Sequence, residues 1–326
     1  MIECKSLLGP HIQRFLMYRE ALFHKNSSYE PIMKNLDRFC ATYFPDATIL
    51  SKEMVLAWME KHDSPRGRGQ GVNGSVIRKF AIFMNGMGGT AYVLPEKMYG
   101  CSTRFVPYIF TDNELQRLFS AIDSIRPSAA QPYKHEVLPV MFRLIYTCGL
   151  RPAEARILKA ENVHLDSGEV LITKTKRNKE RIVVMSEDMR MLSIIYNERR
   201  TRFPFESEYF FPQMNGDAFP SSTIQREFQK CWKNANSNIE ENEIPSVRVY
   251  DLRHRFATAA VQRWLDDGSD LNVKLPFLRA YMGHDSFSQT AYYIHLLPSN
   301  LTQSNAVDWS AFDTLIPEVF NDAEAK

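Results

Sequence analysis

The sequence predicts a mainly α-helical protein with a small antiparallel β-sheet, arranged as an all-helical N-terminal domain followed by an α+β domain. Apolar residues recur every three to four positions through most of the 326 residues, as in amphipathic helices. Between residues 161 and 186 short β-branched runs replace that pattern. The helical periodicity also fails between residues 88 and 109. We therefore place the first domain at 1–100, a linker at 101–109, the second domain at 110–295 and a tail at 296–326.

The composition is that of a globular protein without a membrane span. Hydrophobic residues make up 44% and charged residues 24% of the chain, and no apolar run approaches the ~20 residues of a membrane helix. The N-terminus lacks a signal-peptide core, which predicts a cytoplasmic location. The five cysteines are scattered and the eight histidines form no HExxH pattern. The sequence therefore predicts neither a disulfide framework nor a metal site.

Charge is unevenly distributed along the chain. The net charge is only +2, but residues 1–100 hold 13 Lys and Arg against 9 Asp and Glu, and residues 296–326 hold one Lys against five acids. A basic front and an acidic tail suit a polyanion at one end and a protein partner at the other. Ordinary surface variation is the alternative.

Four amphipathic helices are predicted in the first domain, within residues 11–23, 29–44, 51–62 and 73–88. A glycine-rich, basic segment at 64–74 precedes the fourth helix and is predicted to be a loop. Four cations lie in that loop or near the start of the helix: Arg66, Arg68, Arg78 and Lys79. Helix N-termini and cations suit backbone phosphates, which makes these residues candidates for DNA binding. A flexible, solvated loop is the alternative.

The second domain opens with a capping box formed by Thr111 and Glu114. A buried helix follows and ends at Gly149, where a helix C-terminus favours a left-handed residue. Arg151 then stands at an interhelical corner, with Pro152 suited to the first position of the next helix. Glu154 is close enough to orient the Arg151 guanidinium. An ordinary surface arginine is the alternative.

A β-hairpin is predicted next. An Asp-Ser-Gly turn, the run Val170–Thr175, a turn at Arg177–Lys179 and the run Arg181–Met185 indicate a small antiparallel sheet. Lys176 falls beside the turn, with Lys174 two positions earlier on the same face. Such lysines are ordinarily edge charges; the functional alternative is an ammonium carried to a phosphate.

Helices resume after the sheet. Two are predicted to begin at serine N-caps, over residues 186–200 and 221–235. Two or three further helices are expected within residues 247–295, with a break at Gly283. In the tail a short amphipathic helix is indicated by Trp309, Phe312, Leu315 and Phe320.

Five residues of the second domain form a chemically coherent set: Arg151, Lys176, Arg253, His284 and Tyr293. Cleaving a phosphodiester through a tyrosine requires a nucleophilic phenol and cations on the non-bridging oxygens. It also requires an acid for the leaving 5′-oxygen and a base for the phenol proton. Two arginines can bind one phosphate bidentately, and lysine suits the acid. This chemistry needs no metal.

These residues lie in motifs that resemble those of the tyrosine recombinases of the phage-integrase family. In chain order the motifs are FTDNELQRL, YTCGLRPAEARIL, ITKTKRNKERIVVM, YDLRHRFATAA and MGHDSFSQTAYYIH. They span residues 110–295 in the family's order and at its usual intervals. The helical front resembles, less specifically, the family's core-binding, SAM-like domain.

The resemblance implies a role for each residue. Arg151 and Arg253 are similar to the paired phosphate-binding arginines, and Lys176 to the hairpin lysine that acts as general acid. His284 is similar to a hydrogen-bond donor to the phosphate, and Tyr293 to the nucleophile. Glu154 matches the acidic residue that supports the first arginine.

Four neighbouring residues qualify this assignment. Tyr292 could compete with Tyr293, although the spacing from the Gly-His pair selects Tyr293. Tyr250 stands where the family generally has histidine, and a phenol with pKa near ~10 is a poor general base at pH 7. Lys174 is a weaker alternative to Lys176, and His254 is interpreted as structural.

By resemblance, the chain is a site-specific recombinase that forms a 3′-phosphotyrosyl intermediate without a cofactor. The implied partners are double-stranded DNA with short inverted sites, a homotetramer on that DNA and an accessory directionality factor. The tail would contact a neighbouring protomer or pack on its own domain. With the helical front starting near residue 1, an added arm-type DNA-binding domain is not expected. A nucleoid-associated location follows.

Mobile-element integration or excision is the favoured biological role. Xer-like dimer resolution and a catalytically silent DNA-binding regulator are the alternatives. A topoisomerase with a similar tyrosine site would not need a specific sequence, and the compact length of this chain argues against it.

Overall fold

The chain divides into two compact units, Met1–Val106 and Pro107–Lys326. The structure is a computed structural model that describes residues 3–62, 68–99, 106–173 and 180–296. The division falls within the segment where the sequence loses its helical periodicity. The predicted fold class, mainly helical with a small antiparallel sheet, is confirmed.

The first unit is helical in its described part. Its helices are α1 (Gly9–Ala21), α2 (Tyr29–Tyr43), α3 (Lys52–Lys61) and α4 (Arg68–Gly86). They enclose a core that includes the fully buried side chains of Ile12, Leu36, Trp58 and Phe80. The amphipathic spacing read from the sequence therefore produces one shared apolar interior.

The fourth helix begins earlier than predicted, at Arg68, so the predicted start at residue 73 was wrong. Arg78 and Lys79 consequently lie in the middle of α4 and not near its start. The physical reason lies at Gly74, where an added Cβ would come within 2.4 Å of the Tyr99 ring. This glycine permits close packing inside a helix, whereas the sequence alone suggests a loop.

The second unit contains the sheet and the remaining helices. In its described residues the helices are α5 (Asp112–Asp123), α6 (Lys134–Thr147), α7 (Pro152–Arg156), α8 (Glu187–Arg200), α9 (Ser221–Ala235), α10 (Val249–Asp266), α11 (Leu271–Met282) and α12 (Phe287–His295). The predicted capping box of Thr111 and Glu114 begins α5, and Ser186 caps α8 as predicted. The predicted serine cap of α9 is wrong, because Pro220 holds that position.

The sheet of the second unit has three antiparallel strands in the described residues. They are β1 (Val163–His164), β2 (Glu169–Ile172) and β3 (Arg181–Val184), in the order β1-β2-β3. Ile172 pairs with Arg181 at the last described position of the β2–β3 ladder. The predicted run Arg181–Met185 is one residue longer than β3, and the end of the predicted run Val170–Thr175 falls in residues 174–179, which lie outside the described residues.

The last three helices pack together around a small core of their own. Ala257 and Val261 of α10, Leu275 and Met282 of α11, and Tyr293 of α12 belong to it. The predicted tail helix, with its Trp309 and Phe312, lies outside the described residues. Across the ranges described, no helix is long and apolar enough to cross a membrane.

Candidate active site

Arg151 is placed by the sharp corner between α6 and α7. Gly149 has a φ of +60°, and a Cβ there would lie 2.4 Å from the Phe256 ring, so both conformation and space require glycine. Arg151 then occupies the N-cap of α7 in an extended conformation, with Pro152 as the first helical residue. The predicted corner is confirmed in this local geometry. The Arg151 side chain remains partly exposed.

Glu154 holds Arg151 through two contacts. The Arg151 backbone N–H donates to Glu154 Oε2 at 2.8 Å, and its Nη1 donates to Oε1 at 2.7 Å. Burial by itself would raise the pKa of Glu154. The hydrogen bonds and positive charge of Arg181, with further bonds from Arg151, instead lower that pKa to about 2. Glu154 is therefore a carboxylate at neutral pH.

Arg181 reaches the same carboxylate from β3. Its Nη1 donates to Glu154 Oε1 at 2.9 Å, and its Nη2 donates to Oε2 at 2.7 Å. Its Nε donates to the Tyr281 carbonyl at 2.7 Å. The sequence prediction had Arg181 only as a strand residue. No local pattern indicates that its guanidinium turns towards a carboxylate 27 positions away.

Arg253 lies on α10 and is fully buried. Its Nη1 donates to the Gly149 carbonyl at 2.7 Å, and its Nη2 donates to the Met282 carbonyl at 2.6 Å. The nearest carboxylate oxygen, Glu154 Oε2, is 4.0 Å from Nη1. Its Nε has no hydrogen-bond partner among the described residues. Burial lowers the pKa of Arg253, but an arginine remains charged at neutral pH.

The C-terminal end of α11 orients all three arginines. The carbonyls of Tyr281, Met282 and Gly283 accept, in turn, from Arg181, Arg253 and Arg151. The last of these bonds measures 2.6 Å. Carbonyls at a helix C-terminus lack partners within the helix and favour cations. Three consecutive peptide oxygens thus bring three guanidiniums and one carboxylate to one place, with a formal charge of +2.

His284 follows directly in the chain and is nearly buried, with 9% of its surface exposed. The left-handed conformation of Gly283, with φ +63°, ends α11 and turns the chain into this residue. His284 Nδ1 lies 2.8 Å from the hydroxyl of Thr290, which is fully buried on α12. Burial, followed by the charges of Arg253 and Arg151, lowers the pKa of His284 to about 3. The ring is therefore neutral at pH 7.

Tyr293 is 3% exposed and lies against the His284 ring, with the ring centroids 5.9 Å apart. Burial raises the pKa of Tyr293 to about 12, although the nearby Arg253 guanidinium opposes that shift. The neighbouring Tyr292 is only half-buried. Tyr293 is thus a protonated phenol beside a guanidinium and an imidazole.

Tyr250 and His254 complete the cluster from α10. The centroid of the His254 ring lies 5.0 Å from that of Tyr250 and 5.7 Å from that of Tyr293. Burial, followed by the charge of Arg248, lowers the pKa of His254 to about 4. Its Nδ1 is buried and has no hydrogen-bond partner among the residues the structure describes. Burial alone would lower the pKa of Arg151, but the hydrogen bond and charge of Glu154, followed by the influence of Tyr250, raise it.

The structure therefore brings together six of the predicted site residues: Arg151, Glu154, Tyr250, Arg253, His284 and Tyr293. Lys174 and Lys176 lie outside the described residues, as do Arg66 and the side chain of Arg68. No cluster of three or more potential metal ligands occurs in the described ranges.

The two remaining DNA-binding candidates belong to the first unit. Arg78 Nη1 donates to the Leu94 carbonyl at 2.8 Å and its Nε lies 3.5 Å from Glu96. Lys79 Nζ donates to the Tyr29 hydroxyl at 3.2 Å. Both cations are engaged within their own unit.

Comparison with known proteins places this arrangement in context. The family model described as "Phage integrase family" matches residues 109–300. The "Putative integrase/recombinase y4rE" of Sinorhizobium fredii is 26% identical over 300 residues, which cover 90% of this chain and 93% of that protein.

Two solved structures share the fold. One is the XerH site-specific recombinase bound to a palindromic difH substrate, in a post-cleavage complex. It has a TM-score of 0.65 at 17% identity and covers 95% of this chain and 98% of that one. The other is a lambda integrase tetramer bound to a Holliday junction. Its TM-score is 0.63 at 14% identity, with 88% and 76% of the two chains covered.

Proposed function

The chain belongs to the phage integrase family of tyrosine recombinases, enzymes that cleave and rejoin DNA, and we propose that Tyr293 is its nucleophile. The observation that carries this proposal is the set of charged and aromatic groups around the Tyr293 phenol. The charge of Arg253 opposes the rise of its pKa, His284 stacks on it, and Arg151 is held by the carbonyl of Gly283, the residue before His284. Cations and a neutral imidazole around a phenol match the needs of phosphoryl transfer to tyrosine.

The reaction proceeds by exchange of one ester for another. Tyr293 Oη attacks the scissile phosphorus, the bond from phosphorus to the 5′-oxygen breaks, and a 3′-phosphotyrosyl ester forms. The phenol proton passes to a base, and an acid supplies a proton to the leaving 5′-oxygen. A partner strand's 5′-hydroxyl then attacks the phosphotyrosine and restores the phenol. Each step replaces one phosphate ester bond with another, so the cycle consumes no energy source.

Arg151 and Arg253 stabilise the charge that develops on the non-bridging oxygens. Each uses part of its guanidinium on a carbonyl of α11, which fixes its direction. Preorganised cations lower the barrier more than mobile ones, because they need not reorient during the reaction. Glu154 keeps Arg151 in place from the opposite side.

His284 serves as a hydrogen-bond donor to the phosphate. We assign the Thr290 hydroxyl as the donor to His284 Nδ1, at 2.8 Å. A neutral imidazole that accepts at Nδ1 carries its proton at Nε2. The Nε2 proton is then available to a phosphate oxygen, with the ring fixed by Thr290.

One neutral imidazole beside the nucleophile is a candidate for accepting the Tyr293 proton, that of His254, because His284 already accepts at Nδ1 and carries its proton at Nε2. His254 and His284 flank the nucleophile, with ring centroids 5.7 and 5.9 Å from it. Tyr250, a phenol, is the weaker base and instead supports the phosphate beside Arg151. If His254 is the acceptor, His254→Gln will lower the cleavage rate, with a loss that grows as pH falls. An unchanged rate would exclude His254 as the acceptor.

Lys176 is proposed as the acid that protonates the 5′-oxygen, and Lys174 is the alternative. Strand β2 ends at Ile172 and strand β3 begins at Arg181, and these two residues pair with each other. The segment that carries both lysines therefore connects β2 to β3. The first residue of β3, Arg181, binds Glu154 in the site.

Double-stranded DNA with short inverted sites is the proposed substrate, bound by a homotetramer with an accessory directionality factor. The first unit is the proposed core-binding domain, with phosphate contacts from Arg66, Arg68, Arg78 and Lys79. Residues 101–109 are the proposed linker, 110–295 the catalytic domain and 296–326 the tail that contacts a neighbouring protomer. Mobile-element integration or excision is favoured by the integrase/recombinase to which the chain is similar over most of its length. The shared fold of XerH keeps dimer resolution as the second candidate.

The test uses a nicked duplex that contains the sequence flanking the gene, so that cleavage traps the covalent adduct. We expect a denaturation-resistant protein–DNA adduct that disappears in Tyr293→Phe and persists in Tyr292→Phe. The reverse pattern would assign the nucleophile to Tyr292. Absence of any adduct, with binding intact, would favour the silent DNA-binding regulator. Relaxation of a plasmid that lacks the site would favour a topoisomerase.

A further inference from the structure

Arg181 is the most completely engaged cation near the active site. Its side chain is only 10% exposed, and all three of its nitrogens donate to protein acceptors. The acceptors belong to two different elements, Glu154 on α7 and the Tyr281 carbonyl on α11. Because Arg181 itself begins β3, one guanidinium joins the strand to α7, which begins after Arg151, and to the end of α11, which precedes His284.

This geometry leaves Arg181 no role in holding the DNA phosphate directly. Each nitrogen is within 2.9 Å of an acceptor, and the side chain is buried behind Glu154. Any effect on cleavage must therefore pass through the groups that Arg181 holds. Chief among these is Glu154, which also accepts from Arg151 at 2.7 Å.

The charge balance shows what Arg181 contributes. Glu154 carries one negative charge, and two guanidiniums share it. If Arg181 were absent, that charge would be compensated by Arg151, with Arg253 Nη1 4.0 Å away, and the potential that these two arginines present to a phosphate would be reduced. With Arg181 present, the group of Arg151, Arg181, Arg253 and Glu154 keeps a formal charge of +2. A buried carboxylate without enough compensation also costs free energy.

Packing at the end of α11 also places Arg181 against the residue that holds Arg151 and precedes His284. An added Cβ at Gly283 would lie 3.1 Å from Arg181 Nη1 and 3.3 Å from its Cδ. Arg181 therefore lies directly against the residue whose carbonyl holds Arg151 and whose neighbour is His284. The position of Arg181 limits where both of these groups can stand.

We propose that Arg181 is a positioning residue for DNA cleavage. It compensates Glu154 so that the Arg151 charge stays available to the scissile phosphate, and it fixes the α11 end that aligns Arg151 and His284. This inference rests on the proposed function. It adds a residue that does not touch the substrate and acts on the rate of cleavage, not on DNA affinity.

The experiment measures single-turnover adduct formation at saturating DNA, together with DNA affinity, for Arg181→Met. We expect the cleavage rate to fall about 10- to 100-fold, the size expected for loss of a charge-assisted contact, and the dissociation constant to change less than about 3-fold. Arg190→Met is the matched control. Arg190 also binds a carboxylate bidentately, that of Glu187, and donates to one backbone carbonyl, that of Leu165. It should keep the wild-type rate.

Two further measurements separate positioning from simple structural support. In Arg181→Met/Glu154→Gln the uncompensated carboxylate is gone, and we expect part of the lost rate to return, at least about 3-fold above Arg181→Met. A substrate with an uncharged methylphosphonate at the scissile position should show a smaller Arg181→Met defect than the natural phosphate. Arg181→Lys, which keeps the charge but not the bidentate geometry, should remain impaired.

The outcomes distinguish this inference from the proposed function. If the wild-type protein forms no Tyr293-dependent adduct, the proposed function fails. If wild type forms it and Arg181→Met matches the wild-type rate, the positioning role of Arg181 is refuted. That role is equally refuted if the double variant is no faster than the single one, or if the rate falls only in proportion to DNA affinity. Should Arg181→Met not fold, Arg181→Gln, which also removes the charge, and its Glu154→Gln double variant supply the same comparison.

Discussion

The phenol ring of Tyr293 stacks on the imidazole ring of His284, with centroids 5.9 Å apart and ring planes inclined by 24°. Burial raises the pKa of the phenol to about 12 and lowers that of the imidazole to about 3. Both rings are therefore uncharged at pH 7. The nearby Arg253 charge opposes the shift of the phenol pKa but contributes to that of the imidazole. A phosphate anion bound here would offset the arginine charges, so we expect the substrate itself to raise the pKa of His284.

Thr290→Val tests the orientation of His284. The substitution removes the hydroxyl that lies 2.8 Å from His284 Nδ1, in a fully buried position. We expect cleavage to slow about 10- to 100-fold, as when a partner that orients a functional histidine is lost. Thr290→Ser is the control, since it keeps the hydroxyl, and it should retain most of the rate. Equal rates for the two variants would show that Thr290 does not set the tautomer.

Tyr250 can be tested by two substitutions. Tyr250→Phe removes a hydroxyl that helps to raise the pKa of Arg151, and we expect a fall in cleavage rate of about 10-fold. Tyr250→His restores the residue type that the family generally has there, and it should preserve or raise the rate. A large loss in Tyr250→His, measured by single-turnover adduct formation, would mean that the phenol is specifically required.

Acid should destabilise the second unit through its buried neutral histidines. The pKa values of His254 and His284 fall from an ordinary 6.5 to about 4 and about 3 in the folded chain. Between pH 6.5 and 4.5 the unfolded chain therefore binds more protons. The free energy of unfolding should fall as pH is lowered, by up to about 1.4 kcal/mol per pH unit for each imidazole.

Urea unfolding at several pH values between 5 and 7 measures this effect. Glu154 does not interfere in this range. Its pKa falls from an ordinary 4.5 to about 2 in the folded chain, so the stability that it contributes is lost only below about pH 4.5. His254→Gln should make the dependence on pH shallower. A slope identical to that of wild type would mean that His254 titrates equally in the folded and unfolded chains.

Gly149→Ala should destabilise the corner that presents Arg151. Alanine at φ +60° is strained, and its Cβ would overlap the Phe256 ring at 2.4 Å. Strain and overpacking together predict a loss of about 2–4 kcal/mol in the free energy of unfolding. Gly268→Ala is the matched control, because its φ of +73° is similar but no atom lies within 4 Å. Equal losses in the two variants would rule out a contribution from the clash with Phe256.

Local sequence rules predicted the features that depend on adjacent residues. The Thr111–Glu114 capping box, the left-handed Gly149 and the contact between Arg151 and Glu154 each involve positions within three residues, and the structure confirms them. Such features follow from helix geometry, which a single sequence specifies well.

Features that depend on distant partners were not predictable in the same way. Arg181 finds Glu154 only because β3 packs beside α7 and α11, a tertiary arrangement that no spacing indicates. Gly74 supports a loop by composition, but Tyr99 packs against it and the chain is helical from Arg68 onward. In both cases packing against a residue remote in sequence decides between structures that local propensity leaves equivalent.

Lys176 can be identified as the acid by changing the leaving group. Lys176→Ala should slow cleavage of a normal substrate by about 10²- to 10⁴-fold, the usual contribution of general-acid catalysis. A thiolate needs no proton to leave, because a thiol has a pKa near ~8.5, far below that of an alcohol. A substrate with sulfur in place of the bridging 5′-oxygen should therefore restore the rate of Lys176→Ala. Lys174→Ala is the matched control, and if it alone shows both the defect and the rescue, Lys174 is the acid.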